Sequence, residues 1–212
     1  MMDIELVLRR SCVIPVVTVP DVDAAVAIGE ALLEGGIGII EVTLRSNAGL
    51  AAIERLRAAC PSLLVGAGTV WTRAQTDDAA RAGAQFVVMP ARVDDVIAGC
   101  RALRLPCLPG TQTVTEIANL RELGIKAVKF FPAEPSGGVS ALKAYAAVLP
   151  DVVFCPTGGI TAETARDYLA LACVPCVGGG WLTPAHVIAE RDWRAVRNAA
   201  RAAVALGSEV RD

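Results

Sequence analysis

One pattern recurs along this chain and constrains its fold more than any other feature. A short apolar, β-branched run gives way to a polar turn, and the turn to an Ala/Leu-rich stretch with helical spacing. The apolar runs cover residues 13–17, 37–42, 63–65, 86–89, 106–108, 127–130, 152–155 and 174–177. The helical stretches cover residues 22–33, 49–59, 72–82, 93–103, 113–123, 139–148, 162–169 and 193–205. Glycines close several of them, at Gly35-Gly36, Gly83 and Gly124, where helices commonly end. Near-continuous apolar strands are buried on both faces, as a parallel sheet requires. Eight such units predict an α/β fold, a closed (β/α)8 TIM barrel. A short extra helix over residues 3–10 is expected to precede the first strand and cap the barrel bottom. An open doubly wound sheet is the alternative. Against it, the Gly66-Ala67-Gly68 turn lacks the third glycine of a dinucleotide fingerprint, because position 71 is Trp. At 212 residues the chain has room for few insertions. With no linker or composition shift, it reads as one TIM-barrel domain over residues 1–212.

Composition narrows the function. Hydrophobic residues make up 54% and charged residues 20%, a balance suited to a buried globular core. The net charge is -2, and no basic stretch offers nucleic acid a footprint. No apolar run reaches the length of a membrane span. Residues 1–10 include Asp3 and Glu5 and lack the apolar core of a signal peptide. The expectation is a cytoplasmic protein with no nucleic-acid and no membrane partner. The seven cysteines read as small core hydrophobes. Cys173-Val174-Pro175-Cys176 is a single C-x-x-C with a proline inside it, and packing explains it better than redox chemistry. Zinc needs more ligands than one such pair. The chain has one histidine, His186, placed in a surface turn after Pro184. No metal and no cofactor are expected.

A barrel of this kind works at the C-terminal ends of its strands. Strand 2 ends in "IIEVTLRS", where Glu41 and Thr43 share one face by period two and Arg45 carries that face into the loop. A Glu in a barrel interior is costly unless paired or protonated. It reads either as a structural ion pair at the mouth or as a general base beside an anion-binding Arg. Strand 3 runs into "VGAGTV", where small residues let a ligand approach and Thr69 offers a hydroxyl. Strand 6 carries Lys129 between Val128 and Phe130, whereas Lys126 can reach solvent before the strand begins. Burial disfavours the charged form of an amine, and a neutral amine attacks carbonyl carbon. The bland alternative is a lysine paired with a carboxylate such as Glu41. Strands 7 and 8 end in "CPTGGI" and "VGGGWL". Glycine-rich turns after the last two strands are the usual phosphate position of the fold, since backbone N–H groups and a helix N-terminus favour an anion. Thr157, Gly158, Gly159, Gly179 and Gly180 are the candidates. An amine, a carboxylate, an Arg and a phosphate cradle suit a ketone flanked by a carboxylate and a phosphate.

The stretches "PVVTV", "EVTLR", "VGAGTV", "AGAQF", "KFFPAE", "FCPTGGI", "DYLAL" and "GGGWL" fall in order across residues 13–182. In them the chain closely resembles the 2-keto-3-deoxy-6-phosphogluconate (KDPG) aldolases, the class I aldolases of the Entner–Doudoroff route. The resemblance implies a homotrimer of eight-stranded barrels that binds pyruvate and a phosphorylated keto acid. It implies Lys129 as the Schiff-base lysine and Glu41 as the general acid/base. It implies Arg45 and Thr69 as holders of the pyruvyl carboxylate, Phe131 as a wall beside the pyruvyl group, and Thr157, Gly158, Gly159, Gly179 and Gly180 around the phosphate. Pro90 is retained where relatives commonly read Ser-Pro-Gly and this chain reads Met89-Pro90-Ala91, and it is placed with the substrate-binding residues. Gly180 stands where many relatives have Ser, so a hydroxyl is lost from the cradle. The implied reaction is cleavage of KDPG to pyruvate and glyceraldehyde 3-phosphate, with 4-hydroxy-2-oxoglutarate cleavage as a sister activity. Alternatives are 2-keto-3-deoxy-6-phosphogalactonate cleavage, a phosphosugar isomerase or epimerase, and a non-catalytic barrel that binds phosphorylated ligands.

Overall fold

The structure is a computed structural model that describes residues 3–211; Met1, Met2 and Asp212 lie outside them. The chain opens on α1 (Ile4–Leu8), with the Asp3 side chain as its N-cap. It then alternates through β1 (Val13–Val17), α2 (Val22–Glu34), β2 (Ile39–Thr43), α3 (Gly49–Ala59), β3 (Leu64–Gly68), α4 (Arg73–Arg81), β4 (Phe86–Val88) and α5 (Asp94–Leu103). The second half runs β5 (Cys107–Leu108), β6 (Gly110–Thr111), α6 (Val114–Glu122), β7 (Ala127–Phe130), α7 (Gly138–Val148), β8 (Val153–Pro156), α8 (Ala162–Leu169), β9 (Val177–Gly179), α9 (Ala185–Ala189) and α10 (Trp193–Arg211). Every residue of β2, β3 and β7 is buried, as strands covered by helices on one side and a filled interior on the other must be.

All strand pairs are parallel. One sheet has the order β5-β4-β3-β2-β1-β9 and the other β6-β7-β8. The two are one barrel. β5 and β6 are halves of a single strand broken at Pro109, whose carbonyl still accepts from Lys129 N–H at 2.8 Å. Proline has no N–H to give the ladder, so the pairing splits there. On the far side, a bridge from Thr157 to Gly178 joins β8 to β9. Helix starts facing the mouth are fixed by capping boxes, Thr72 with Gln75, Thr113 with Glu116 and Thr161 with Thr164. At the other end, α1 lines cavities with the starts of β5, β7 and β8, so it caps the bottom.

Three expectations shift. The last strand is Val177–Gly179, not residues 174–177. Val174 N–H is spent in a turn on the Leu171 carbonyl at 2.8 Å, and Pro175 cannot donate to a ladder. The initial helix is shorter than residues 3–10. His186 is exposed on the short helix α9 and not in a turn.

Candidate active site

Lys129 and Glu41 meet inside the barrel. Lys129 projects from β7, between Gly110 on β6 and Cys155 on β8 in register. Glu41 projects from β2. Their side chains are 6% and 4% exposed, and Nζ lies 3.5 Å from Oε1. The volume for this pair comes from missing side chains. A Cβ at Gly68, two residues past Glu41's register partner Gly66, would overlap the Glu41 carboxylate. A buried pair at this distance is a long hydrogen bond, and its two charges are held almost without solvent. The pair sets an amine where it can attack a carbonyl carbon, with a carboxylate beside it to move a proton.

Around the pair, Thr43 on β2 is wholly buried and shares a hydrogen bond of 2.8 Å with Thr18 at the end of β1. Exposed Arg45 reaches back, its Nε donating to Thr43 Oγ1 at 3.4 Å. No ion pair to Arg45 forms among the described residues. The guanidinium therefore stays available to an anion. Thr69 follows β3 with φ 60°, a left-handed conformation unusual for a β-branched residue and of the kind that collects at functional sites. Pro90 follows β4, and its carbonyl rests where a Cβ at Gly110 would be. This places it against the strand next to Lys129.

The opposite wall is built from β7 and β8. The Phe131 ring centroid is 5.2 Å from Lys129 Nζ. The same ring packs on Gly158, 3.2 Å from where a Cβ there would sit. Gly158 and Gly159 have φ 101° and 81°, backbone that glycine adopts without strain. They lead through Ile160 into α8, whose N-terminus faces them. Thr157 is buried and fills the space that Gly178 leaves empty. Gly179 is covered by Trp181, and Gly180 is exposed with nothing within 4 Å of a Cβ. No helix follows Gly180 directly, since α9 starts at Ala185, so the helix dipole expected behind both turns stands behind only one. Among the described residues no group of three or more His, Cys, Asp or Glu is placed to hold a metal ion.

The fold thus brings Lys129, Glu41, Phe131, Thr157 and Gly158 into one contiguous set and places Arg45, Thr69, Pro90, Gly179 and Gly180 on strand exits around it. Sequence reasoning overlooked Thr18, whose one signal was its place as the polar residue of "PVVTV". It also overlooked Thr111, a buried hydroxyl donating to the Lys129 carbonyl at 3.2 Å. A cavity of about 590 Å³ opens at the other end of the barrel, between α1, α5 and the starts of β5 and β7, away from this set.

The family model described as "KDPG and KHG aldolase" matches residues 4–199. The KHG/KDPG aldolase of Escherichia coli (strain K12) is 40% identical over 200 residues, 94% of each chain. The structure is also similar to a solved KDPG aldolase from Legionella pneumophila with pyruvate captured as a covalent carbinolamine intermediate, at TM-score 0.93 and 37% identity, covering 96% of this chain and 98% of that one. A 2-keto-3-deoxy-6-phosphogluconate aldolase of Zymomonas mobilis ZM4 with 3-phosphoglycerate is similar at TM-score 0.91 and 39% identity, covering 96% of both chains.

Proposed function

This chain belongs to the KDPG and KHG aldolase family, and from that premise we propose how it works as a class I aldolase. It cleaves 2-keto-3-deoxy-6-phosphogluconate to pyruvate and glyceraldehyde 3-phosphate, and 4-hydroxy-2-oxoglutarate to pyruvate and glyoxylate. The observation that carries the assignment of roles is the buried pair, Lys129 Nζ 3.5 Å from Glu41 Oε1 at the C-terminal ends of β7 and β2.

In this reading Lys129 Nζ adds to the keto carbon, and the carbinolamine loses water to an imine. The imine withdraws electrons from the C3–C4 bond. Glu41 takes the proton of the hydroxyl on carbon 4, through a water, and the bond breaks as the aldehyde leaves. The enamine left on Lys129 is protonated at carbon 3 and hydrolysis releases pyruvate. One carboxylate serves both proton transfers because the proton it gains is the one it can return. Arg45, oriented by Thr43, and Thr69 hold the pyruvyl carboxylate. Phe131 and Pro90 wall the pyruvyl group. Thr157 and the backbone N–H groups of Gly158, Gly159, Gly179 and Gly180 hold the phosphate.

Borohydride with pyruvate tests the roles. The wild-type chain gains the mass of one reduced pyruvyl adduct, and Lys129→Ala gains none. An adduct on Lys129→Ala, or none on the wild type, sinks the assignment. A phosphosugar isomerase or epimerase on the same barrel would form no imine, so the same experiment excludes it. We also propose a homotrimer, supported by large apolar side chains left exposed on the single chain, Val148 at 64% and Trp71 at 49%. Light scattering at about three chain masses is the expected result. A cytoplasmic setting is proposed on the composition, and no described helix is long and apolar enough to cross a membrane.

A further inference from the structure

The turn assigned to phosphate above consists of two consecutive glycines with positive φ, Gly158 and Gly159. Such a turn has the freest backbone available to a chain. A cradle made of N–H groups stabilises an anion only when the groups are already aimed. Something outside the turn has to hold it.

That support comes from Glu134 and Tyr168. Glu134 opens the 3-10 turn Glu134–Ser136, which follows β7. Its N–H donates to the Gly158 carbonyl at 3.0 Å, and the preceding Ala133 N–H donates to Thr157 at 2.8 Å. Its side-chain stem lies across Gly159, where a Cβ would come within 2.7 Å of Glu134 Cβ. Beyond the stem, the carboxylate accepts a hydrogen bond of 2.6 Å from the Tyr168 hydroxyl. Tyr168 is wholly buried on α8, the helix into which the turn runs. Helical side chains lean toward the helix N-terminus, so its ring points up toward the mouth. Burial, and then the Glu134 carboxylate, push the phenol above its usual range, so it remains a donor at physiological pH. The bond also anchors a negative charge beside an anion site. A carboxylate released from Tyr168 could swing toward an incoming phosphate and repel it.

We propose that Glu134 and Tyr168 are positioning residues that hold the Gly158–Gly159 turn in shape for a phosphorylated substrate and restrain the Glu134 carboxylate; this rests on the aldolase reading above. Neither residue is assigned a contact with substrate. The test compares KDPG, which carries a phosphate, with 4-hydroxy-2-oxoglutarate, which does not. Tyr168→Phe is expected to raise KM for KDPG about tenfold, the size of one hydrogen bond to a charged group. Its kcat on KDPG, and both constants for 4-hydroxy-2-oxoglutarate, should stay within about twofold. Glu134→Gln keeps an acceptor for Tyr168, so KM for KDPG should stay within about twofold of the wild type. Glu134→Ala, at an exposed position that does not threaten folding, should raise it again. Equal changes for both substrates would reveal a plain structural role and overturn the proposal, as would no change in either variant that breaks the bond. Wild-type borohydride trapping run alongside separates the two readings. Trapping without the KM split defeats only this inference, whereas no trapping defeats the aldolase assignment beneath it.

Discussion

Lys126 and Lys129 stand three residues apart at the two ends of strand β7. Lys126 precedes the strand at the barrel bottom. Its side chain is 52% exposed, and it pairs with Asp151 at 3.0 Å. Asp151 also takes a hydrogen bond from Arg121 Nε at 2.8 Å. Lys129 is nearly sealed from solvent and has a single carboxylate at 3.5 Å. The shorter ion pair is the less consequential one. At the bottom, water and salt screen the charges, and both partners are satisfied by solvent once separated. At the mouth neither charge has that recourse, so the longer pair carries the larger energies, and it is the pair to which the proposed mechanism gives the reactivity. Desolvation, not distance, ranks the two ends.

The strongest way to break that ranking is to remove each lysine in turn. Lys129→Ala should reduce cleavage to background and abolish the pyruvate adduct. It should also cost stability, about 3–5 kcal/mol, because Glu41 is left buried without its partner; denaturant unfolding reads this directly. Next in size is Glu41→Gln. It should lower kcat by about 10²- to 10⁴-fold, the usual worth of a general acid/base. The borohydride adduct should persist, because the nucleophile is intact. An adduct lost with Glu41→Gln would mean that Glu41 is needed to deprotonate Lys129 before any chemistry on carbon 4.

The contrast between the two lysines was legible in the sequence because a charge inside an apolar run is an anomaly that patterning exposes. Lys129 and Glu41 each interrupt a run otherwise suited to burial, and the structure puts them in contact. The alternation of apolar run and helix was equally legible, since a parallel strand buried on both faces reads as a continuous hydrophobic word. Elements whose pairing comes from the surroundings were not. β9 is Val177 followed by two glycines, residues of low strand preference, and it is a strand because β1 pairs with it at Val13, Ile14 and Pro15. β6 is a Gly-Thr pair beyond a proline, invisible as a strand until β7 lies beside it. The Glu134–Tyr168 bond joins residues 34 apart, each ordinary in its own neighbourhood.

A smaller effect is expected at the cradle, where Gly180 sharpens the picture of the mouth. A Cβ at this position meets nothing within 4 Å, and its φ lies outside the left-handed region. Serine therefore fits without strain. Gly180→Ser should supply a hydroxyl to the phosphate and lower KM for KDPG about threefold, in the lower range of a net hydrogen bond. KM for 4-hydroxy-2-oxoglutarate should not move. Equal affinity for KDPG in the two proteins would show that the phosphate does not reach the β9 turn.

The smallest effects belong to the bottom of the barrel, and they test the other half of the comparison. Lys126→Ala should leave both cleavage activities unchanged and shift Tm by no more than about 2 °C, since exposed pairs contribute little. Its partner still leaves a mark on pH dependence. Hydrogen bonds from Arg121 and then Lys126 hold the Asp151 carboxyl at about 2, below its ordinary 3.8. A carboxyl depressed by folding binds fewer protons in the native state than in the unfolded one. Its contribution is therefore complete above pH 3.8 and drains away as the pH falls toward 2. Asp151→Asn should flatten the unfolding profile between about pH 2 and 3.8, and the same small increment should be missing at pH 7, where the contribution is complete. High salt should blunt the difference. If Asp151→Asn instead lowered activity near neutral pH, the two ends of β7 would be coupled, and the separation between a screened bottom and a desolvated mouth would fail.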